Sequence, residues 1–332
     1  MGYGHLVRSH ALAQAWQEEG GAVLLLTAAT DLPSEIAHGS VSIERLAAAH
    51  PDPRDLEGVR SSIGARAGCW VACDGYHFDR RYADAVMGAG ARLLFVADGP
   101  ARVPPRTDAV LDQTIGAARE SYPSTGHGRL LLGPRYALLR PAFAAPPARR
   151  RTRDEDRVLV LTGASDPTGL APRIIRALRG IAGSRLRVEV VVGAGSPHEE
   201  AVRREAALGL SGRFAVLRDP PDIAALMREA DLAVSGGGTT CWELCAMGVP
   251  MILITVADNQ LPATTGLARA GAALHLGADP EVSDTQIVTA VLELLADPGR
   301  REELSRHARS VTDGRGASRV VRVLRGEPED PQ

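Results

Sequence analysis

Leu232-Ala-Val-Ser-Gly-Gly-Gly-Thr-Thr-Cys-Trp-Glu243 is the stretch that decides the fold, because it predicts a strand, a tight turn and a helix in direct succession. The apolar run Leu232–Ser235 has the length of a buried strand, and the three glycines that follow allow the backbone to turn closely. Thr240 and Glu243 have the spacing of a capping box at a helix start. We therefore expect one strand–turn–helix unit here.

Similar apolar runs recur along the chain and alternate with alanine-rich segments of helical character. These runs are Ala22–Thr27, Cys69–Cys73, Arg92–Ala97, Ala109–Asp112, Val158–Thr162, Val188–Val192, Leu232–Ser235 and Met251–Val256. Short, continuously apolar strands separated by helices are typical of parallel sheets covered on both faces. The sequence therefore predicts a doubly wound α/β fold.

The length and composition of the chain fit two domains. Its 332 residues exceed one ordinary domain, and 45% hydrophobic with 23% charged residues is a globular balance. A proline- and arginine-rich segment without apolar periodicity predicts a linker over 143–156. We expect Rossmann-like domains over 1–142 and 157–325, and a disordered tail over 326–332.

The beginning of the chain predicts a helix, starting at about Gly4–Leu6, with no strand before it. A doubly wound domain normally places its first strand in the middle of the sheet. We therefore expect the N-terminal domain to lack its first strand, through a start that is late by roughly ten residues, about one strand and turn. The alternative is that another segment fills this position.

Charge and composition argue against several classes of function. The 38 basic and 40 acidic residues give a net charge of −2, which does not favour nucleic-acid binding. No apolar stretch approaches the roughly twenty residues of a membrane span, and no signal peptide is evident, so we expect a cytoplasmic protein. Neither cysteine spacing nor the pair His5 and His10 suggests ligands of a metal, and no cofactor is expected.

The glycine turn is the first candidate binding site. The helix after Gly236, Gly237 and Gly238 would present free N–H groups and a positive dipole end, which suits a diphosphate. Glu243 has two interpretations, since it could cap the helix or accept hydrogen bonds from ribose hydroxyls. A tight turn without any ligand is the alternative for the whole stretch.

Three further segments carry candidate residues. His5, in Gly2-Tyr-Gly-His-Leu-Val-Arg8, could act as a base near pH 7, or be an ordinary surface histidine. Asp74-Gly-Tyr-His-Phe-Asp79 follows a strand, where ligands bind in such sheets; Tyr76 and His77 could reach one, and Asp79 should cap the next helix. In Ala257-Asp-Asn-Gln260 the side-chain amides suit sugar hydroxyls, with helix capping by Asp258 as the alternative.

Four stretches together carry a resemblance to a known family: Gly2-Tyr-Gly-His-Leu-Val-Arg8, Leu132-Gly-Pro-Arg-Tyr-Ala-Leu-Leu-Arg140, Ser235-Gly-Gly-Gly-Thr-Thr-Cys-Trp-Glu-Leu244, and Gly248-Val-Pro250 with Asp258-Asn-Gln260. The chain resembles the family of UDP-2,4-diacetamido-2,4,6-trideoxy-β-L-altropyranose hydrolases of pseudaminic acid biosynthesis and their spore-coat polysaccharide relatives. The resemblance spans nearly the full chain.

The resemblance implies a glycosyltransferase-B architecture, with two Rossmann-like domains facing a cleft, and a UDP-sugar as the partner. His5 would be the base that prepares water for attack at the anomeric carbon, and Tyr76 and Asn259 would orient the water or the sugar. Residues expected to bind substrate are Gly4, Arg8, Gly163, Ser165, Gly236, Gly237, Gly238, Thr239, Thr240, Glu243, Asp258 and Gln260, with UDP on the glycine turn and Glu243 near the ribose.

Three departures from the family pattern lie where the sugar would bind. The family has a histidine where this chain has Gly75, with His77 on the other side of Tyr76. It has paired aspartates where this chain has Ala97-Asp98, and Gly-Gly-Ser-Asp at Gly163-Ala-Ser-Asp166. These departures leave the identity of the sugar open.

The leading functional hypothesis is hydrolysis of a UDP-linked amino-deoxy sugar, releasing UDP, in nonulosonic acid or surface polysaccharide biosynthesis. A glycosyltransferase that uses a UDP-sugar donor is the first alternative, because one architecture serves both reactions. A nucleotide-sugar-binding protein without turnover is the second. The sequence leaves the oligomeric state open.

Overall fold

The computed structural model describes residues 3–30, 32–64, 66, 68–122, 126–144, 155–163, 165–181, 185–193 and 195–328. Most of the predicted linker and the end of the predicted tail lie outside these ranges. The described residues form two compact units: an N-terminal unit from His5–Pro141 and Gly314–Gln332, and a C-terminal unit from Met1–Gly4 and Ala142–Asp313.

Short strands and helices alternate up to Pro141. They are α1 (Tyr3–Glu18), β1 (Leu24–Thr27), α2 (Ser34–Ala37), β2 (Ser42–Arg45), α3 (Pro53–Gly64), β3 (Trp70–Asp74), α4 (Arg80–Gly88), β4 (Arg92–Ala97), β5 (Thr107–Asp112) and β6 (His127–Leu132). Strands β3-β4-β5-β6 form a parallel sheet in that order, and β1 pairs with β2 in a separate parallel pair. Leu93–Ala97 of β4 are buried because both faces of this sheet are covered.

The C-terminal unit contains one six-stranded parallel sheet. Its elements are β7 (Asp156–Leu161), α5 (Leu170–Arg179), β8 (Leu186–Val192), α6 (Glu199–Ala207), β9 (Phe214–Arg218), α7 (Ile223–Glu229), β10 (Leu232–Gly236), α8 (Thr240–Met247), β11 (Met251–Thr255), α9 (Leu261–Arg269), β12 (Leu274–Ala278), α10 (Asp284–Ala296) and α11 (Pro298–Val311). The strand order is β12-β11-β10-β7-β8-β9, so the chain winds outwards in both directions from β7. The predicted doubly wound α/β class is confirmed.

The two units differ in the middle of their sheets. In the C-terminal unit the first strand, β7, lies between β8 and β10. In the N-terminal unit the described residues contain no strand before α1, and no strand joins β1 to β3. Leu26 of β1 and Val71 of β3 nevertheless pack against the same core cluster, so both sheets cover one hydrophobic core.

The last helix, α12 (Gly316–Arg325), belongs to the N-terminal unit, whereas the sequence predicted a C-terminal domain that extends to residue 325. Val320 is fully buried in a cluster with Leu94 and Leu111, and the Trp70 Nε1–H donates to the Leu324 carbonyl at 3.1 Å. The apolar face of α12 is visible in the sequence, but the surface that covers it lies about two hundred residues away. The predicted boundary was therefore incorrect for this helix.

Four strands, β2, β6, β9 and β12, were absent from the predicted apolar runs. Each of them is an edge strand. An edge strand has one neighbour and more solvent contact, so its sequence is less apolar. β2 reads Ser-Ile-Glu-Arg and is mostly exposed, while β12 reads Leu-His-Leu-Gly-Ala and is half-buried.

No helix in the described part of the chain has the length and apolar character needed to cross a membrane.

Candidate functional site

His5 and Asp74 form the centre of a polar cluster in the N-terminal unit. His5 lies in the first turn of α1, and Asp74 is the last residue of β3, at the carboxyl end where ligands bind in α/β sheets. The His5 Nδ1 is 2.6 Å from the Asp74 Oδ1, and the side chains are 14% and 2% exposed. His5 is therefore held by a buried carboxylate and is not an ordinary surface histidine.

Arg8 lies three residues after His5, on the same face of α1, and joins two carboxylates. Its Nε and Nη2 each donate to Asp74 at 2.6 Å, and its Nη1 donates to the Asp98 Oδ1 at 2.9 Å. Burial alone would lower the pKa of Arg8, but the charges and hydrogen bonds of Asp74 and Asp98 raise it above its ordinary value. Arg8 therefore remains a cation although it is buried.

Tyr76 completes this cluster from the loop after β3. Its hydroxyl donates to the Asp98 Oδ2 at 2.7 Å, and its ring lies edge-on to His5 with centroids 4.8 Å apart. Burial would raise the pKa of Asp98, but Arg8 and the Tyr76 hydroxyl hold it below its usual value. The structure thus brings together three predicted site residues, His5, Arg8 and Tyr76.

A pocket of about 340 Å³ opens within the N-terminal unit, beside this cluster. His5, Arg8, Tyr76 and Asp98 contribute polar groups to its lining. Apolar residues complete the lining, among them Phe78, Val103, Pro104 and Pro105. The pocket can therefore hold a ligand with both hydroxyl groups and apolar substituents.

His77 also lines the pocket, and its position explains the glycine before Tyr76. A Cβ at Gly75 would lie 2.6 Å from the His77 Cε1, so the imidazole occupies the space that a side chain at 75 would take. Burial lowers the pKa of His77, which favours its neutral form.

Asp79 caps α4 by accepting from the Tyr82 N–H at 2.9 Å, as predicted.

In the C-terminal unit the glycine turn joins β10 to α8. Helix α8 begins at Thr240, and its N-cap is Thr239, which has helical backbone angles and makes no side-chain capping bond. The predicted capping box of Thr240 and Glu243 is therefore wrong, because the helix starts with Thr240 already inside it. Glu243 is instead a buried residue in the first turn, 9% exposed. In its first turn the Cys241 and Trp242 N–H groups donate to the Gly238 and Thr239 carbonyls, at 3.1 and 3.0 Å.

The space around Gly237 differs from the space around Gly238. A Cβ at Gly237 would lie 2.4 Å from the Thr264 Cγ2 and 2.8 Å from the Gln260 Cβ, so Gly237 is required by close packing against α9. A Cβ at Gly238 would meet no heavy atom within 4 Å. The backbone at Gly238 is thus open to a ligand, whereas that at Gly237 is enclosed by protein.

Asp258, Asn259 and Gln260 form one 3₁₀ turn that begins three residues after the end of β11. The N-cap of this turn is Ala257 and no side chain caps it, so the capping alternative for Asp258 is wrong. The Gln260 Oε1 accepts from the Gly237 N–H at 3.0 Å and from the Val256 N–H at 3.2 Å. The amide oxygen of Gln260 is therefore already bonded to the protein.

Gly163 and Ser165 follow β7, the strand that pairs with β10. Gly163 has a φ of +87°, a conformation that favours glycine. Asp166, which was not among the predicted site residues, accepts from the N–H groups of Leu170 and Ala171 at 3.0 Å each. This carboxylate therefore holds the first residues of α5 in place.

Two residues of the polar cluster were not among the predicted site residues: Asp74 and Asp98. Asp74 lies at the carboxyl end of the parallel strand β3, and Asp98 lies just after that of β4. This position is a signal that the sequence contains.

Among the described residues, no group of three or more His, Cys, Asp or Glu side chains is arranged to hold a metal ion.

Residues 157–320 match the family model of the glycosyltransferase family 28 C-terminal domain. This range contains most of the C-terminal unit, including the glycine turn.

Two curated proteins illustrate the sequence similarity. The chain is 30% identical over 220 residues to the spore coat polysaccharide biosynthesis protein SpsG of Bacillus subtilis (strain 168), covering 66% of this chain and 64% of that protein. It is 34% identical over 192 residues to the UDP-N-acetylglucosamine--N-acetylmuramyl-(pentapeptide) pyrophosphoryl-undecaprenol N-acetylglucosamine transferase of Sorangium cellulosum (strain So ce56), covering 56% and 47%. The chain thus spans less than two thirds of the length of either relative.

Solved structures show the fold of the whole chain. The crystal structure of Acinetobacter baumannii MurG has a TM-score of 0.67 at 17% identity and covers 97% of this chain and 96% of that one. The S. aureus MnaA-UDP co-structure has a TM-score of 0.68 at 13% identity, covering 98% and 96%. The fold is of the glycosyltransferase-B type, with parallel sheets in two α/β units.

Proposed function

We propose that this chain of glycosyltransferase-B fold is an enzyme that hydrolyses a UDP-linked amino-deoxy sugar in polysaccharide biosynthesis. The observation that carries the proposal is the contact of 2.6 Å between Asp74 and His5, which lines a pocket together with Tyr76. A histidine fixed by a buried carboxylate is an arrangement suited to general base chemistry.

In the proposed reaction His5 takes a proton from water as the water oxygen bonds to the anomeric carbon. The bond from that carbon to the phosphate oxygen breaks, and UDP leaves with the bonding electrons. Tyr76 contributes an oxygen that can accept a hydrogen bond from the water or the sugar, because its own proton is donated to Asp98. Asn259 remains a proposed ligand of the sugar.

The C-terminal unit would bind the nucleotide. The positive dipole end of α8 would favour a diphosphate at the glycine turn. The open backbone at Gly238 supports this role, since a phosphate can approach it without a side chain in between. We further propose that Thr239, Thr240, Gly163, Ser165, Asp258, Gly4 and Gly236 contribute to this binding and that Glu243 binds the ribose.

Glycosyl transfer is the second candidate, and the names of the relatives favour it. Several are N-acetylglucosamine transferases that use a UDP-sugar. In that reaction His5 would deprotonate a hydroxyl of an acceptor in place of water, with the same cleavage and the same release of UDP. The reacting oxygen is the difference between the two candidates.

The test is UDP release by purified protein from UDP-2,4-diacetamido-2,4,6-trideoxy-β-L-altropyranose and from UDP-N-acetylglucosamine, without acceptor. Hydrolysis predicts steady release from one of them, reduced about 10²- to 10⁴-fold in His5→Ala, as for loss of a general base. His38→Ala is the matched control, because His38 is an exposed histidine outside the cluster.

Release that requires an added hydroxyl acceptor would select glycosyl transfer instead. UDP binding by calorimetry with no release under either condition would contradict both enzymatic candidates and leave a nucleotide-sugar-binding protein. Equal release by wild type and His5→Ala would contradict the role of His5.

A further inference from the structure

We propose that Asp74 is the positioning residue of His5, holding its imidazole with the proton on Nδ1 and the lone pair on Nε2. Arg8 and Asp98 contribute the other charges close to this imidazole. Its catalytic meaning rests on the proposed function of His5, whereas the position of the proton is a property of the folded protein alone.

The distance of 2.6 Å between the His5 Nδ1 and the Asp74 Oδ1 requires a proton between them. Asp74 is an acceptor when ionised, and its two hydrogen bonds from the Arg8 guanidinium are those of a carboxylate. An unprotonated Nδ1 would place two lone pairs against each other at this distance. The proton must therefore be on Nδ1.

Arg8 offers a competing arrangement that the geometry does not favour. Its Nη2 is 3.0 Å from the His5 Nδ1 and could donate to it if that nitrogen carried the lone pair. The same Nη2 is closer to the Asp74 Oδ1, at 2.6 Å, which is a charge-assisted hydrogen bond. Arg8 thus bonds the carboxylate, and the carboxylate is left to accept from His5.

The charged groups around His5 do not balance one another. Asp74 and Asp98 are two carboxylates around one guanidinium, so the cluster has one unbalanced negative charge while His5 is neutral. In the proposed reaction, the proton that leaves the attacking oxygen arrives at Nε2 and balances that charge. Because the Arg8 and Asp74 side chains are 5% and 2% exposed, solvent screens this attraction less than at the surface.

Asp98 provides the matched comparison within the cluster. It bonds Arg8 and Tyr76 but makes no hydrogen bond to His5 in the structure. Asp98→Asn therefore removes the same charge as Asp74→Asn without removing the acceptor of the His5 proton. If the His5 tautomer changes in Asp74→Asn but not in Asp98→Asn, the change comes from the lost acceptor and not from a general effect of charge or folding.

The experiment is long-range ¹H–¹⁵N NMR of the histidine side chains at pH 8, with the His5 signals assigned by their loss in His5→Gln. Wild type is expected to show Nδ1 protonated and Nε2 unprotonated, and Asp98→Asn the same. Asp74→Asn is expected to shift His5 towards the Nε2-protonated form, because the amide and Arg8 can then both donate to Nδ1. In Asp74→Asn, kcat for the proposed reaction should fall about 10²-fold or more, with little change in KM.

A wild-type His5 protonated at Nε2 overturns the inference, and this measurement needs no variant that might fold poorly. An unchanged tautomer in a folded Asp74→Asn variant overturns it as well. If the expected tautomers are found but no UDP-sugar is turned over, the proposed function fails and the positioning by Asp74 stands.

Discussion

The side chain of Gln260 fixes the backbone of Gly237, since its Oε1 accepts the Gly237 N–H at 3.0 Å. The same oxygen accepts the Val256 N–H at 3.2 Å and so links the glycine turn to the end of β11. Gln260 was predicted to bind substrate directly. The structure gives it an additional contribution, which is to hold the turn in place.

Gln260→Met should therefore loosen the turn. Two backbone N–H groups would lose their acceptor, at about 1–3 kcal/mol for each group left unsatisfied. We expect a lower Tm and UDP affinity reduced about tenfold, measured by calorimetry. Gln260→Glu keeps an oxygen acceptor and should keep the wild-type Tm within about 1 °C, a shift that corresponds to less than 1 kcal/mol for a chain of this length. Wild-type stability and affinity in Gln260→Met would show that these bonds contribute little.

Gly237→Ala should lower the stability of the protein, whereas Gly238→Ala should lower its affinity for UDP. The new methyl at 237 would meet Thr264 at 2.4 Å, so we expect a loss of stability of about 1–3 kcal/mol from overpacking. The methyl at 238 meets no heavy atom within 4 Å, so the Tm should not change, while UDP binding weakens if the diphosphate lies there. Thermal unfolding with and without UDP measures both. An unaltered UDP affinity in Gly238→Ala would exclude close approach of the ligand at this residue.

The four cysteines should differ in their reaction with thiol reagents. All four are free; Cys69 is partly exposed, and Cys73, Cys241 and Cys245 are buried. Burial raises the pKa of Cys73 and of Cys241 to about 12, so both stay thiols near neutral pH, and thiols react poorly. At pH 8 we expect labelling of Cys69 alone in the native protein, detected by mass spectrometry, and of all four after unfolding. Native labelling that persists in Cys69→Ser would contradict this.

Val320→Ala should destabilise the N-terminal unit, although α12 lies at the end of the chain. Val320 is fully buried against Leu94 and Leu111, and its truncation should cost about 1–3 kcal/mol. Hydrogen exchange should accelerate in β4 and β5, while β10 and β11 keep wild-type protection. Faster exchange confined to the C-terminal unit would contradict the assignment of α12. Leu292→Ala, at an exposed leucine of α10, is the control.

The strands that the sequence predicted are mostly interior ones. β4, β7, β10 and β11 each lie between two neighbours and are apolar on both faces, so their runs of Val, Leu and Ile are continuous. The edge strands β2, β6, β9 and β12 were missed because half-exposed strands tolerate polar residues, as in Ser-Ile-Glu-Arg. Prediction from apolar runs thus worked where burial is complete.

The candidate site was predicted through its motifs, not through its contacts. His5, Arg8 and Tyr76 were selected from the stretches around them, and the structure places all three in one cluster. Asp74 lies in one of these stretches but was not a predicted site residue, although it binds both His5 and Arg8. Sixty-nine residues separate Asp74 from His5, and no local pattern encodes a contact over that distance.

By itself, the sequence determined the α/β class and the strand–turn–helix around the three glycines, because hydrophobic periodicity and backbone freedom are local properties. Only the tertiary structure decided which residues meet: Asp74 with His5, Gln260 with Gly237, and α12 with β4 and β5. The physical reason is that a hydrogen bond or an apolar contact between distant residues depends on how the elements pack, and packing is a property of the whole unit.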